Sequence, residues 1–201
     1  TGMISEGKFD HRPNIRNQDE LGDLAKAFVI MAKRLKKLEE MYLDTSPLTR
    51  LPGGIAIENV MKKRIAAGAS IAFCLMDIDN FKAYNDTYGH SEGDKILTAL
   101  GTTLNEYTRN SVDLCFRLGG DEFAILLPQT TVAQAKEIIE RVMFNFSESN
   151  DNQTTLSVGI VACNRDDQVD LKSDIHRMHR QADQAMYDAK SSGKNRVVCR
   201  V

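Results

Sequence analysis

Four acidic residues lie where carboxylates could bind a cation. Asp77 and Asp79 follow the apolar run that ends at Met76, and Asp121 and Glu122 precede a second apolar run. Clustered carboxylates repel one another unless a cation lies between them, and hard oxygen ligands without histidine or cysteine suit Mg²⁺ or Mn²⁺. The alternative is that the four acids are solvated residues of turns. Residue types and spacing alone leave both interpretations open.

The apolar periodicity after residue 50 predicts the elements that would position these acids. Helices are predicted over 54–67, 94–108, 131–146 and 175–189, and strands over 70–76, 114–118, 123–127, 155–162 and 196–201. The core order β-α-β-β-α-β is the split βαβ arrangement, an α+β, ferredoxin-like fold whose third strand lies antiparallel between the first two. Asp77 at the end of the first strand would then lie beside Asp121 and Glu122 at the start of the third.

A long helix is predicted before this domain, from about residue 20 to the break at Ser46-Pro47. Its apolar residues recur with spacings of four and three, the a/d pattern of a coiled coil, at Leu24, Phe28, Met31, Leu35, Leu38, Tyr42 and Thr45. The pattern favours a coiled coil over residues 24–45. The alternative is a single amphipathic helix packed on its own domain.

Composition restricts the classes of partner. The chain has 201 residues and a formal net charge of -2, so it has no long-range attraction for nucleic acid or an anionic membrane, and a phosphate ligand needs a local pocket. Four widely spaced cysteines in apolar runs predict reduced core residues of a cytoplasmic protein. No segment approaches the roughly 20 apolar residues of a membrane helix. The start at Thr1-Gly2 indicates a fragment, so membrane attachment would come only through a preceding region.

Several short motifs occur together in a fixed order. Residues 117–123 read RLGGDEF, and the accompanying segments are LT and LP within 48–52, DIDNFK at 77–82, ND at 85–86, GH at 89–90, GD at 93–94 and AKSSGKNR at 189–196. Together they resemble the GGDEF-domain diguanylate cyclases from Ser46 to Val201, whereas a lone GGDEF pentapeptide would be a weak signal. The resemblance implies a palm-type nucleotide cyclase domain that condenses two GTP molecules into cyclic di-GMP and releases pyrophosphate.

The resemblance also implies which acids bind the metal. Asp77, the backbone carbonyl of Ile78, and Asp121 are similar to the family's ligands for Mg²⁺ or Mn²⁺, and Glu122 is the second essential acid of the motif. Asp121, Glu122 and Lys190 are the implied catalytic residues. We therefore expect the cation to lie where the first and third strands meet.

Phosphate binding is implied for a second group of residues. Gly119 and Gly120 let the nucleotide approach the backbone, and they also suit a tight turn. Where the first strand turns into a short helix, free backbone N–H groups can cradle phosphates. The other implied phosphate ligands are Asn80, Phe81, Lys82, Lys190 and Lys194. Most members have arginine in place of Lys194, so this lysine would bind as a point charge without a bidentate fork.

The resemblance also implies that Asn85 and Asp94 select guanine as the nucleobase. A carboxylate accepts from the N1 and N2 hydrogens of guanine, which adenine lacks, and an unpaired buried carboxylate would penalise ATP. Asp94 is equally suited to be a helix N-cap. Among the histidines, His90 is predicted to shape its loop, and His176 and His179 are predicted to lie on a solvated helix face.

Besides Lys194, the chain departs from the family pattern at two further sites. The product-inhibition motif RxxD has Asn110 in place of arginine and retains Asp113, and in an extended segment the neighbouring Arg109 would point to the opposite face. We predict weak product inhibition and a degenerate site. The N-terminal motif of the domain differs at Ser46, Arg50, Gly53 and Gly54, a scaffold region where we predict no effect on the chemistry.

Residues 19–24 read DELGDL and resemble the second half of a HAMP linker. The implied organisation is the C-terminal part of a HAMP linker at 1–23, a coiled-coil helix at 24–45 and a GGDEF domain at 46–201. Because one domain binds one GTP, the active enzyme would be a homodimer joined by the coiled coil. It would be the cytoplasmic domain of an inner-membrane signalling protein.

Three functions remain open at this point. The chain could be an active cyclase, a silent module that binds GTP or a cyclic dinucleotide, or a structural dimerisation domain that binds no nucleotide. The intact acids Asp77, Asp121 and Glu122 favour the active cyclase.

Overall fold

The computed structural model describes residues 20–151, 153–163 and 169–200 and separates into two compact units that divide between Asp44 and Thr45. In the first unit, helix α1 spans Glu20–Leu43, as the periodicity predicts. The predicted HAMP segment 1–23 lies outside the described residues except for 20–23, which belong to α1. Leu24, Met31 and Leu38 are at least half exposed on this helix.

The second unit is a five-stranded sheet with helices. Its elements are α2 (Gly54–Ala66), β1 (Ile71–Ile78), α3 (Phe81–Tyr88), α4 (His90–Tyr107), β2 (Leu114–Gly119), β3 (Glu122–Pro128), α5 (Val132–Ser149), β4 (Leu156–Cys163), α6 (Leu171–Ser191) and β5 (Arg196–Arg200). The strand order is β2-β3-β1-β4-β5, and only the β4–β5 pair is parallel among the described strands. Val201, predicted to end the last strand, lies outside the described residues.

The predicted split βαβ arrangement is confirmed, because β3 lies between β2 and β1 and is antiparallel to both. The end predicted for the first strand was wrong by two residues. Asp77 and Ile78 continue β1 because they remain paired with Ser157 and Leu156 of β4 after the apolar run stops. The sheet edge that carries the acids is therefore held from both sides.

Helices cover both faces of the sheet. Alternate residues of β1 pack on two cores, so all eight of its positions are buried. Ala72, Cys74 and Met76 face the core shared with α4 and α5, and Phe73 and Leu75 face the core shared with α2 and α6. Asp77 continues the second set, which directs its side chain to the layer that contains α6.

The four cysteines are free thiols, and Cys74, Cys115 and Cys163 are buried as the sequence predicts, whereas Cys199 is half-buried. In the part of the chain that the structure describes, no helix combines the length and apolar character needed to cross a membrane.

Candidate active site

The sheet register brings the predicted acids together where β1 ends and β3 begins. We call this end of the two strands, with Asp77, Asp121 and Glu122, the acidic edge. Asp77 of β1 lies directly opposite Glu122 of β3, and the Ile78 amide donates to the Asp121 carbonyl over 3.3 Å. Asp77 is 8% exposed, Asp121 is half-buried and Glu122 is exposed. The antiparallel pairing of β1 with β3 therefore brings these four residues together, as the topology predicts.

A tight turn presents Asp121 and Glu122. The β2–β3 ladder is irregular between Arg117 and Gly119, and Gly120 has φ +48°, a left-handed conformation that favours glycine. Within 4 Å of the position that a Cβ would take at Gly120 there is no other atom. The turn therefore leaves open space on the side where the sequence predicts a nucleotide.

Lys190 approaches the acids from the C-terminal part of α6. Its Nζ lies 2.8 Å from Asp77 Oδ2. Burial raises the pKa of Asp77 to about 6, the hydrogen bond from Lys190 lowers it, and the charges of Asp121 and Glu122 raise it. Burial is the largest cause of this rise and the two acids add to it, so a further cation beside Asp77 would stabilise its charged form.

The donor chemistry suits a hard divalent cation. Carboxylate oxygens of Asp77 and Asp121 and the carbonyl of Ile78 are the ligand types that Mg²⁺ and Mn²⁺ prefer. Among residues 20–151, 153–163 and 169–200, no three His, Cys, Asp or Glu side chains converge as a metal-binding group. The predicted ligand set therefore consists of two carboxylates and a backbone oxygen, and it stays a prediction.

The predicted phosphate-binding residues flank this edge. Asn80 precedes α3 with φ +58°, and its side chain does not cap the helix. The first amides of α3, which include those of Phe81 and Lys82, therefore lack an intrahelical or side-chain cap acceptor and can bind an anion. Lys194 Nζ donates to Asn80 Oδ1, so the second predicted cationic residue lies at the same helix start.

Asp79 has a role that the sequence analysis missed. It is 3% exposed and accepts hydrogen bonds from Thr155 Oγ1 and Ser157 Oγ, each over 2.7 Å, and from the Asn195 amide over 3.1 Å. These three donors occupy both carboxylate oxygens. Asp79 is therefore a buried structural anchor and not the solvated or metal-binding acid that its spacing suggested.

The Asp79 anchor holds the loop that carries Lys194. Gly193, Lys194 and Asn195 have φ values of +112°, +62° and +44°, three consecutive left-handed residues. The Lys194 amide donates to Ala189 at the end of α6 over 3.0 Å. Because lysine adopts positive φ reluctantly, this loop needs such fixed contacts to present Lys194 toward α3.

The side chain of Asn85 on α3 lies against Gly93 of α4, the residue before Asp94. The side-chain oxygen of Asn85 is buried and has no hydrogen-bond partner among the described residues. A Cβ at Gly93 would lie 1.8 Å from that oxygen, so a larger residue there would displace the Asn85 amide. A ligand could accept hydrogen bonds from this amide or donate to it once the side chain turned outward.

Two predictions about this region, the loop position of His90 and the burial of Asp94, were wrong, and the alternative of Asp94 as an N-cap does not hold. Helix α4 begins at His90 with Gly89 as its N-cap, so Asp94 lies inside the helix and is not the cap, and His90 is its first residue and not a loop residue. Asp94 is also exposed and not buried. His176 and His179 are exposed on α6, as predicted.

A cleft of about 320 Å³ adjoins the acidic edge, and its lining includes Glu122, Tyr187 and Lys190. Its volume is at the lower limit for a small-molecule site. A separate cleft of about 440 Å³, between α5 and the start of β5, contains none of the predicted site residues.

The predicted inhibitory site has a closed geometry. Residues 109–113 form a turn, in which the Val112 and Asp113 amides donate to the Arg109 carbonyl over 3.1 and 2.9 Å, so the expected extended segment was wrong. Arg109 turns back on Asp113, with Nη2 2.6 Å from Oδ1. The Asp113 side chain is 0% exposed, and Asn110 is exposed. The two predicted members of the site therefore do not face a common ligand.

Two family models match the chain. The model described as "Diguanylate cyclase, GGDEF domain" matches residues 43–196, and the model of the HAMP domain matches residues 1–37. The diguanylate cyclase VdcA of Vibrio cholerae is 30% identical over 200 residues, which cover 98% of this chain and 58% of VdcA. The chain spans between 27% and 35% of the length of three further curated relatives.

Solved structures agree with this similarity. The GGDEF domain of DgcB from Caulobacter crescentus, solved in complex with c-di-GMP, is 25% identical with a TM-score of 0.67 and covers 78% of this chain and 95% of its own. The diguanylate cyclase SiaD from Pseudomonas aeruginosa, solved with its activator SiaC, is 26% identical with a TM-score of 0.69 over 99% of this chain and 77% of its own. The sheet topology, the acidic edge and the match over residues 43–196 agree, and the chain belongs to the GGDEF-domain diguanylate cyclase family.

Proposed function

We propose that this chain condenses two GTP molecules into cyclic di-GMP and two pyrophosphates as the output domain of a signalling protein. The observation that carries the proposal is the acidic edge, where Asp77 lies opposite Glu122 and within 2.8 Å of the Lys190 ammonium. Family membership and the relatives named diguanylate cyclases support the reaction type.

In each of two steps, the 3′-hydroxyl oxygen of one GTP attacks the α-phosphorus of the other, and the bond from that phosphorus to the leaving pyrophosphate breaks. Asp77, Asp121 and the Ile78 carbonyl would hold Mg²⁺, which when bound lowers the pKa of the hydroxyl and neutralises charge on the phosphate. Lys190 and Lys194 compensate the charge of the departing pyrophosphate. Glu122, exposed beside Asp77, is placed to accept the hydroxyl proton or to hold a second cation.

Guanine selection would come from the α3–α4 junction. The Asn85 amide has an unsatisfied oxygen, and Asp94 lies next to Gly93, against which that amide packs. Asp94 accepts from the N1 and N2 hydrogens of guanine, whereas adenine offers neither. Because Asp94 is exposed, it pays little desolvation without a ligand, and the discrimination against ATP comes from the missing hydrogen bonds in the complex.

The active state would be a homodimer that brings two GTP-loaded domains face to face. On α1, Leu24, Met31 and Leu38 are 67%, 50% and 62% exposed and follow the seven-residue spacing of a coiled-coil seam. A second copy of α1 is the complementary partner. Replacing Leu35 and Leu38 with serine should lower turnover in dilute protein and restore part of it at high concentration. Turnover per molecule that is independent of concentration would contradict the coiled coil.

The HAMP match supports a position downstream of a membrane sensor, in the cytoplasmic part of an inner-membrane protein. The division into HAMP segment, coiled-coil helix and cyclase domain at residues 23 and 45 is part of the proposal. A signal would reach the catalytic domain by changing how two α1 helices pair.

The direct test is to incubate the chain with GTP and Mg²⁺ and to measure pyrophosphate and cyclic di-GMP. Cyclic di-GMP with two pyrophosphates per product, and no product from ATP, is the expected result. GTP binding without pyrophosphate release would instead indicate a silent nucleotide-binding module. Absence of GTP binding would indicate a dimerisation domain.

A further inference from the structure

Arg117 makes contacts at the acidic edge that no predicted site role includes. It lies on β2, two residues before the Gly119–Gly120 turn, and its Nε and Nη2 donate to the Gly120 carbonyl over 3.1 and 2.7 Å. Its Nη1 donates to Ser46 Oγ over 3.0 Å. The guanidinium carbon lies 5.9 Å from the centre of the Phe123 ring. One side chain thus spans the turn that carries the acids and the segment that begins the domain.

Strand pairing holds one side of the turn, since the Ile78 amide donates to the Asp121 carbonyl and Glu122 pairs with Asp77. Gly120 lacks a side chain and has a left-handed backbone, so its neighbours Asp121 and Glu122 depend on contacts from outside the turn for their orientation. The bidentate contact of Arg117 with the Gly120 carbonyl supplies such a contact. A planar guanidinium fixes both the position and the direction of that carbonyl, which an ammonium would not.

The same guanidinium interacts electrostatically with two acids of the predicted site. Burial lowers the pKa of Arg117, and the charges of Asp94 and Asp121 raise it. The cation therefore lies within electrostatic reach of both the predicted base-reading acid and a predicted metal ligand.

We propose that Arg117 is a positioning residue of the active site, which holds the Gly119–Gly120 turn so that Asp121 and Glu122 point at the reacting phosphate. This inference rests on the proposed function, because the carboxylates need that orientation only for turnover. In this proposal Arg117 need not contact the substrate. It acts through the Gly120 carbonyl.

The contact of Arg117 with Ser46 involves a residue at which this chain departs from the family's N-terminal motif. Ser46 is fixed in its own turn, where its amide donates to Leu51 over 2.9 Å and its carbonyl accepts from Arg50 over 2.8 Å. The Arg117 amide also donates to the Pro52 carbonyl over 2.9 Å, so the segment 46–52 is joined to β2 twice. Because Ser46 is neutral, the side-chain contact lacks the opposite charge that a carboxylate would supply. The prediction that the departure at Ser46 has no effect on the chemistry is replaced by a testable coupling.

The experiment uses the whole chain and two matched arginine substitutions. Arg117→Lys keeps the charge and loses the fork, and Arg180→Lys is the control at an exposed position of α6. We expect Arg117→Lys to lower kcat about tenfold, to leave KM for GTP within about threefold, and to leave Tm close to that of the parent. The control should change none of these. Unchanged kcat in Arg117→Lys, or a loss explained by a smaller folded fraction, would overturn the proposal.

Rescue provides a second arm. Ser46→Asp added to Arg117→Lys places a carboxylate opposite the ammonium, and we expect it to recover about threefold of the lost kcat. Ser46→Asn, which adds the same bulk without the charge, should not. No recovery with aspartate, or equal recovery with asparagine, would contradict coupling through Ser46.

Hydrogen exchange separates this proposal from the proposed function. In Arg117→Lys, amides of residues 117–123 should exchange about tenfold faster than in the parent, with no change in Arg180→Lys. If the parent makes no cyclic di-GMP but the exchange changes as expected, the proposed function fails and the positioning role of Arg117 stands. If the parent is active and neither exchange nor kcat changes in Arg117→Lys, the positioning role of Arg117 fails and the proposed function stands.

Discussion

Two carboxylate–cation pairs in this domain look alike in distance and differ in every other respect. Lys190 lies 2.8 Å from Asp77, whose side chain is 11% exposed, and this is the one ion pair of the lysine among the described residues. Arg109 lies 2.6 Å from Asp113, whose side chain is 0% exposed, and it also donates to the Pro128 carbonyl and Thr130. A single ammonium contact can be exchanged for a ligand, whereas a bidentate, multiply bonded guanidinium fixes the backbone.

The number of hydrogen bonds to each carboxylate distinguishes the two pairs. Burial and the neighbouring acids raise the pKa of Asp77 to about 6 even though Lys190 is present. A further cation would therefore stabilise its charged form. Around Asp113, both oxygens accept from Arg109, including its backbone amide over 2.7 Å. We call Lys190–Asp77 the open pair and Arg109–Asp113 the closed pair. Substitutions at the open pair should change the chemistry, and substitutions at the closed pair should change the stability.

The largest effect should come from removing the acids at the open site. Asp121→Ala or Glu122→Ala should lower turnover on the order of a thousandfold, because each removes negative charge that holds the cation or assists the hydroxyl. Neither side chain is buried, so the domain should stay folded, with Tm as the control. Substantial cyclic di-GMP synthesis by either variant would contradict the proposed mechanism.

Removing the cation of the open pair should have the next largest effect. Lys190→Ala should lower turnover about a hundredfold, because a charge that faces the phosphates is lost. Stability should change by no more than about 1 kcal/mol, the usual contribution of a partly exposed ion pair. Kinetics and urea denaturation of this variant can be compared with Lys172→Ala, an exposed lysine at the start of the same helix. A loss of stability with normal turnover would reverse the assignment of the two pairs.

The closed pair should show the opposite pattern. Arg109→Ala leaves Asp113 buried without its partner, which should lower the free energy of unfolding by about 2–3 kcal/mol. Arg109→Lys should lower it less, since the charge stays and the fork is lost. Urea denaturation followed by circular dichroism measures both. Turnover per folded molecule should stay at the parental value, and a change in kcat would show that this turn communicates with the active site.

How far the sequence predicts this molecule depends on what each residue contacts. The β1–β3 register follows from apolar periodicity and the split βαβ topology, so the meeting of Asp77 with Glu122 was predictable. The anchor role of Asp79 was not, because its donors Ser157 and Asn195 are distant in sequence, 78 and 116 residues away. Spacing alone made Asp77 and Asp79 look equivalent.

The same limit applies to the turns. The departures at Ser46 and Asn110 were visible in the motifs, but their consequences depend on side-chain contacts of Arg117 and Arg109 that the motifs do not predict. Arg117 reaches Ser46 across 71 residues of chain, and Arg109 folds back on Asp113 because 109–113 is a turn and not an extended segment. Side-chain direction in irregular segments follows from tertiary contacts, for which a single sequence has no periodic signal.

The smallest expected effect concerns the product, and it sharpens the comparison because it asks whether the closed pair can open. Cyclic di-GMP carries two phosphates, and a site that holds it at residues 110–113 would need a cation there and a free carboxylate. Asn110 is neutral, and Asp113 is fully occupied by Arg109. A missing charge-assisted contact costs about 1.5–3 kcal/mol, so we expect affinity at this turn no tighter than micromolar and weak product inhibition.

Isothermal titration of cyclic di-GMP into the parent and into Asn110→Arg tests this expectation. The added guanidinium should raise affinity by roughly tenfold, through phosphate alone, because Asp113 remains bound to Arg109. A much larger gain would mean that the new arginine competes with Arg109 and releases Asp113. Asn110→Ala is the control, since Asn110 is exposed and its removal leaves the Arg109–Asp113 contacts in place. Submicromolar binding by the parent that is lost in Asn110→Ala would show that the turn binds product as it stands, and the distinction between an open and a closed pair would then fail at this site.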